Sequence, residues 1–350
     1  MKDGLLLKDY NPISMLTVPI THVPKPKFPV FDFHTHIGPL YEKSNLWDDV
    51  SSTSTMVQEL RERNIFGVVN LKLMWGKALD EAVGRLKGYE DFIYTFGSVD
   101  IGRLEDVDFA YYVDETFKHY KRIGVRGLKF WKNLGLGLKD SSGKYVPVDD
   151  ARLKPIWEGA ARYGLLVLIH VADPKCFFTP VDEKNEWYEC LIEQPEWSFC
   201  RDELYTFEQL MEQQDALLAN NPDTTFIIPH VGSCSEDLGF VGSQLDKHKN
   251  MYIDPSARIS ELGRQPYTAR EFFIKYQDRI LFGTDYTGSE PDAVYPYYFR
   301  FLETFDEYFR YGPDDWGYGL GRWNIYGIGL PDDVLKKIYS GNAMQLMKLK

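Results

Sequence analysis

The sequence predicts an α/β protein, a (β/α)8 TIM barrel with long βα-loop insertions after strands 5 and 8 and a closing C-terminal helix. Three observations lead there. Strand-like and helix-like stretches alternate eight times along the 350 residues. Several strand stretches ("LLVLIH", "TFIIPH", "RILFGTD") are near-continuous apolar runs, as in parallel strands buried on both faces. The first βα turn, "HTHIGPLYE", lacks the G-x-G-x-x-G spacing that a doubly wound open sheet usually shows there.

A lead-in over 1–29, Pro-rich at "HVPKPKFP", precedes the first unit. Strands are expected at Val30–Ile37, Phe66–Leu73, Phe92–Val99, Val125–Trp131, Leu165–Val171, Thr225–Val231, Met251–Pro255 and Ile280–Asp285. Helices are expected at Thr53–Arg63, Lys77–Tyr89, Val107–Ile123, Ala151–Tyr163, Phe207–Asn220, Ser235–His248, Thr268–Tyr276 and Ala293–Phe309. Two aromatic-rich excursions, 172–205 and 310–330, break this rhythm. Both are expected at the C-terminal rim, where barrel proteins build their sites. The helix Asp332–Met347 repeats apolar residues at helical spacing and is expected to dock on the barrel without chemistry. The whole chain, 1–350, reads as one domain.

Composition narrows the partners. A hydrophobic content of 44% supports a sizeable core, and the net charge of −12 argues against nucleic acid or an anionic membrane. No stretch has the length of apolar sequence needed to span a bilayer, and Leu5–Leu7 is too short for a secretory signal. A cytoplasmic location is therefore expected. Cys176, Cys190, Cys200 and Cys234 contain no C-x-x-C pair and read as reduced thiols.

The chemistry concentrates at strand ends. In "VFDFHTHIGPL", strict alternation places Asp32, His34 and His36 on one face and Phe31, Phe33 and Thr35 on the other. Two imidazoles so spaced reach a single ion, although a pair of hydrogen-bonded core histidines explains this segment alone equally well. His170, His230 and Asp285 end strands five, six and eight in the same way. In a closed barrel all five converge on one mouth. Four buried imidazoles without a common partner would each carry a desolvation penalty that a shared divalent ion removes. His22, His119 and His248 fall elsewhere and receive no role.

This ordered set, with the "HTH" strand and the final "GTD", resembles the amidohydrolase superfamily. The nearer likeness is the amidohydrolase-related branch that contains aminocarboxymuconate-semialdehyde decarboxylase, and it extends from Val30 to "NAMQL". The resemblance implies that His34, His36, His170 and Asp285 hold one divalent ion, Zn2+ foremost, with Mn2+ and Fe2+ as alternatives. Such an ion acidifies bound water and polarises a substrate oxygen. Asp285 would shuttle the proton, and His230 would act beside the ion as acid, base or oxyanion partner. Lys129 in "VRGLKFWK" contacts a substrate anion in the one-metal branch, whereas a carboxylated lysine bridges a second ion in others; the one-metal reading is preferred. Asp32 is left between orienting a ligand and a structural role.

Arg258 is a candidate grip for a substrate carboxylate, with a structural salt bridge as the alternative. Trp131 is a candidate pocket wall, as are Asp254, Trp187 and Trp323. The function expected is a metal-dependent hydrolase of a C–N, ester or lactone bond in a small molecule. The alternative is a lyase, decarboxylase or hydratase, acting on a small carboxylic acid. No nucleic-acid or membrane partner is expected; a homodimer is.

Overall fold

The computed structural model describes residues 4–6, 10, 12–37, 50–288, 291–313 and 321–349. Among them is one parallel sheet of seven strands in sequence order: β1 Val30–Thr35, β2 Ile65–Asn70, β3 Ile93–Gly97, β4 Gly127–Phe130, β5 Leu166–Ile169, β6 Phe226–Ile228 and β7 Met251–Ile253. Each strand pairs with its successor, so the sheet grows by successive βα units.

Neighbouring strand residues feed two different cores. Val69, Leu168 and Ile227 pack with Phe31, Phe33, Phe96 and Leu281 in an inner cluster drawn from many strands. Val68, Val167, Ile169, Phe226 and Ile228 point the other way, into the larger cluster shared with the helices. This two-sided burial explains the continuous apolar runs.

The segment expected as the eighth strand lies between β7 and β1 and bonds to both. On one side Leu281 N–H donates to the Ile253 carbonyl (2.8 Å); on the other Phe33 N–H donates to Phe282 and His36 N–H to Tyr286 (2.8 and 2.7 Å). Its ladder is reduced to two isolated bridges, Ile253 with Ile280 and Thr35 with Tyr286. The cause is local. Asp285 has φ of 70°, which interrupts an extended run. The closing helix secures this segment. Asp332–Lys336 and Asn342–Met347 flank a π turn, Lys337–Gly341, and the Ile338 carbonyl accepts from Phe282 N–H at 3.0 Å. Asn342 Nδ2 donates to the Gln277 and Ile280 carbonyls, both at 2.7 Å.

Other expectations shift. The helix expected at Ala293–Phe309 is Tyr295–Glu303, because Phe309–Arg310 pairs antiparallel with Asn324–Ile325. A helix, Ile259–Arg264, follows β7 where none was expected. Within 172–205, Phe177, Trp187, Cys190 and Leu191 form a satellite core against which Trp323 packs. Residues 314–320 of the second excursion lie outside the described residues. Among the described residues the four cysteines are unpaired, and no helix is long and apolar enough to cross a membrane.

Candidate metal centre

Three side chains meet at the junction of β1 with the bridging segment. Asp285 Oδ1 lies 3.3 Å from His34 Nε2 and 3.0 Å from His36 Nε2, and the two imidazole nitrogens are 3.2 Å apart. Their donor atoms lie close enough for one cation to reach all three. The His34 side chain is fully buried, whereas His36 is 19% and Asp285 32% exposed, so the cluster opens on the His36 and Asp285 side.

The alternation expected along β1 holds for Phe31 and Phe33, but Asp32 does not join the two imidazoles. The pairing of β1 with β2 slips between Asp32 and Thr35, the behaviour of a bulge. Phe31 and Phe33 share the inner cluster, as one face of the strand, while Asp32 accepts hydrogen bonds from Thr284 Oγ1 (2.5 Å) and Tyr295 OH (2.8 Å). Asp32 also accepts the His34 backbone N–H at 3.0 Å but touches neither imidazole. Burial pushes its carboxyl up to about 7 against those hydrogen bonds.

Asp254, directly after β7, orients His34. Its Oδ2 lies 3.0 Å from His34 Nδ1, and Ser256 Oγ lies 2.9 Å from the same nitrogen. The Ser256 carbonyl accepts from His230 Nδ1 at 2.8 Å, so this nitrogen carries the proton and His230 Nε2 is left with a lone pair. Burial opposes ionisation of Asp254, but His34 and the Ser256 bonds outweigh it and hold the carboxylate low. Asp254 received only a pocket-wall reading from sequence; its place just after an apolar strand, like that of His230, was the available signal.

The His170 and His230 rings pack at a tilt of 55° with centroids 4.3 Å apart, and the His230 centroid lies 5.2 Å from that of His34. His170 is not within common reach of the three-residue cluster. Its Nε2 lies 3.4 Å from Asp173 Oδ1 yet is buried without a hydrogen-bond partner. Burial lowers His36 and His170 to about 4 and His230 well below the usual imidazole range. All three are neutral at pH 7, the state that ligates metal. Burial works against ionised Asp285, but His34 and His36 overcome it and hold its carboxyl well below the usual range.

Cations surround this core. Lys129, in the middle of β4, is buried, and burial pushes it down to about 8 against the pull of Asp285 and Asp254. The buried Arg258 lies 3.5 Å from Asp173 and donates to the Ala257 carbonyl at 2.8 Å. Lys132, which sequence reasoning missed, also pairs with Asp173 and lies 4.9 Å above the Phe199 ring. Trp131 is 49% exposed, a rim residue.

Backbone strain marks the same place. Of eight non-glycine residues with positive φ among the described residues, His230, Val231, Ser233, Ala257 and Asp285 belong here. A β-branched residue such as Val231 at φ 57° is disfavoured by on the order of 1–3 kcal/mol. The left-handed turn stops the strand expected to reach Val231 at Ile228 and swings His230 toward Ser256.

The family model described as amidohydrolase matches residues 96–349. The chain belongs to the amidohydrolase family. It is an enzyme of amidohydrolase type, as the strand-end motifs anticipated. Solved structures share the fold at low identity. A TIM-barrel protein from Bordetella bronchiseptica is 14% identical, with TM-score 0.55 over 92% of this chain and 99% of that one. The 4-oxalomesaconate hydratase of Rhodopseudomonas palustris is 14% identical, with TM-score 0.53 over 91% and 95%. A dihydroxybenzoic acid decarboxylase from Polaromonas sp. JS666, with bound manganese and 2-nitroresorcinol, is 14% identical, with TM-score 0.56 over 92% and 97%. No curated protein matches the sequence.

The amidohydrolase donor set fits a divalent ion on its own chemistry. Two imidazoles and an ionised carboxylate converge; His170, outside their common reach, has a buried ring nitrogen without a hydrogen-bond partner.

Proposed function

We propose that this amidohydrolase is a metal-dependent hydrolase that cleaves a C–N, ester or lactone bond in a small molecule. The observation that carries the reading is the convergence of His34, His36 and Asp285. His34, His36, His170 and Asp285 would hold one ion, Zn2+ foremost, with Mn2+ or Fe2+ as alternatives; Mn2+ draws support from the manganese-bound decarboxylase of like fold. When bound, the ion supplies a Lewis acid for a substrate oxygen and acidifies water. The proposed barrel counts the 279–286 segment as its eighth strand position.

The chain's own groups then divide the work. Asp285, ionised and open to the mouth, takes a proton from the attacking water and delivers it to the leaving group. His230 is the alternative acceptor of that same proton, at Nε2, since its Nδ1–H is committed to Ser256. That tautomer favours a base over an oxyanion donor. Lys129 and Arg258 bind substrate anions, with Lys132 joining them, and Trp131 offers a face at the rim.

The three cations Lys129, Lys132 and Arg258 support a second reading, a lyase acting on a small carboxylic acid. The hydratase and decarboxylase of like fold are consistent with it. A panel of lactones, N-acyl compounds and small unsaturated or aromatic acids, offered to metal-loaded protein, separates the two. Acid release without CO2 supports the hydrolase, and CO2 release or hydration of a double bond supports the lyase. Failure to turn over any member would count against both.

A further inference from the structure

One buried hydroxyl lies between two histidines that the site gives different work. Ser256, in the loop after β7, is fully buried, and its Oγ lies 2.9 Å from His34 Nδ1 and 3.1 Å from His230 Nδ1. The same oxygen lies 2.5 Å from Asp254 Oδ1. The His34 and His230 ring centroids are 5.2 Å apart. Among the described residues no hydrogen bond joins these two rings directly, and Ser256 is the one side chain bonded to both.

Each of these bonds can run in only one direction. A hydroxyl has one proton to give and two lone pairs to receive. Asp254 is an ionised carboxylate that only accepts, so the Ser256 proton goes to its Oδ1. Toward both imidazoles Oγ is then an acceptor, and each Nδ1 carries hydrogen. Two further acceptors impose the same choice: Asp254 Oδ2 lies 3.0 Å from His34 Nδ1, and the Ser256 carbonyl lies 2.8 Å from His230 Nδ1. Each ring thus shares one Nδ1–H between Oγ and a second acceptor, and each keeps a bare Nε2. At His34 that nitrogen faces His36 and Asp285; at His230 it is the alternative proton acceptor.

The loop holds Ser256 without help from its hydroxyl. The Ser256 backbone N–H donates to Asp254 Oδ1 at 3.0 Å, and the Ala257 N–H donates to Tyr298 OH at 2.7 Å. Ala257 takes a left-handed φ of 52°, which turns the chain there. A backbone fixed in this way keeps its course when the hydroxyl is removed.

We propose that Ser256 is a positioning residue whose hydroxyl ties His34 to His230 and holds both rings as Nδ1–H tautomers. Nε2 of one ring is thereby kept for the ion and Nε2 of the other for the substrate's proton. The proposal deepens the metal-dependent reading above and rests on it for the ion at His34, but not for the tautomers. Without the hydroxyl, His34 leans on Asp254 alone and His230 on a single carbonyl, and both rings gain freedom to turn or change tautomer.

Zinc titration and nitrogen NMR of the imidazole rings, both on the full chain, test this without a substrate. Ser256→Ala lowers zinc affinity by about 10-fold or more with an unchanged circular dichroism spectrum. Ser256→Thr, which keeps the hydroxyl, recovers most of that loss. A serine that only fills space gives the reverse order, because alanine fits its place and threonine overfills it; that order would overturn the proposal. In the metal-free wild type both rings show a protonated Nδ1 and a bare Nε2, and in Ser256→Ala the Nε2–H tautomer appears at His230. Ring spectra unchanged by Ser256→Ala, or an Nε2–H tautomer at either ring in the wild type, would also overturn it. These spectra decide the matter even where the threonine variant does not fold. A wild-type chain that binds no zinc contradicts the metal-dependent reading instead, and its tautomers are still read in the metal-free protein.

Discussion

His34 Nδ1 lies 3.0 Å from Asp254 Oδ2, and both side chains are fully buried. The carboxylate fixes the ring so that Nε2 faces His36 and Asp285. Asp254→Asn keeps the shape but removes the charge that makes His34 a strong donor. Metal affinity falls about 10–100-fold, while the circular dichroism spectrum is preserved. Competition against a chelator measures the change, and an unaltered affinity would remove Asp254 from the account.

Asp285 is both a member of the cluster and the proposed proton carrier. Asp285→Asn lowers kcat by about 10²–10⁴-fold on whichever substrate the panel identifies. The comparison is made at matched metal occupancy, so loss of metal and loss of the proton carrier are read separately. Near-normal kcat would contradict the role.

Gly127 lets β4 approach β5 and the inner cluster. A Cβ there would sit 2.5 Å from the Phe96 ring and 2.7 Å from the Leu166 carbonyl, and a backbone oxygen cannot step aside. Gly127→Ala therefore destabilises the fold by about 1–3 kcal/mol, read as a lower urea midpoint. Lys129, two residues on, would be displaced with the strand.

The site was legible where chemistry follows a strand end and illegible where it depends on backbone detail. His34, His36 and Asp285 each end an apolar run, and the structure brings their donor atoms together; His230 follows at 5.2 Å from the His34 ring and His170 at 4.3 Å from that of His230. Asp32 takes the structural one of its two readings, held by Thr284 and Tyr295, and no residue type announces the slip between β1 and β2 beside it. The left-handed turn at His230 and Val231 runs against the β preference of valine, so local propensity pointed to a continuing strand. Asp285 likewise turned an expected strand into a bridging segment through one positive φ. The pairing of Lys132 with Asp173 joins two loops far apart in sequence, and neither loop carries a motif. Asp254 had the strand-end signal of its neighbours but was read as wall.

Glu261 supplies a stability test away from the chemistry. It is buried, accepts from Ser260 Oγ at 2.7 Å, and burial pushes its carboxyl up to about 7 despite nearby Arg258. A raised carboxyl pKa means the folded state holds its proton more tightly than the unfolded chain does. The stability this gives is complete below the unfolded pKa of about 4.5 and is lost as pH rises through about 7. Glu261→Gln should therefore stabilise the protein above pH 7 by on the order of 1–3 kcal/mol, with the gain vanishing toward pH 4.5. Urea unfolding at both ends of this range measures it, and a gain independent of pH would exclude a buried titrating carboxyl.

Metal content of the purified chain, measured by elemental mass spectrometry beside His34→Ala/His36→Ala, tests the central claim most directly. The account predicts about one divalent ion per chain in the wild type and almost none in the double variant. A wild-type chain that neither carries nor takes up a divalent ion, or a double variant that retains it undiminished, would contradict it.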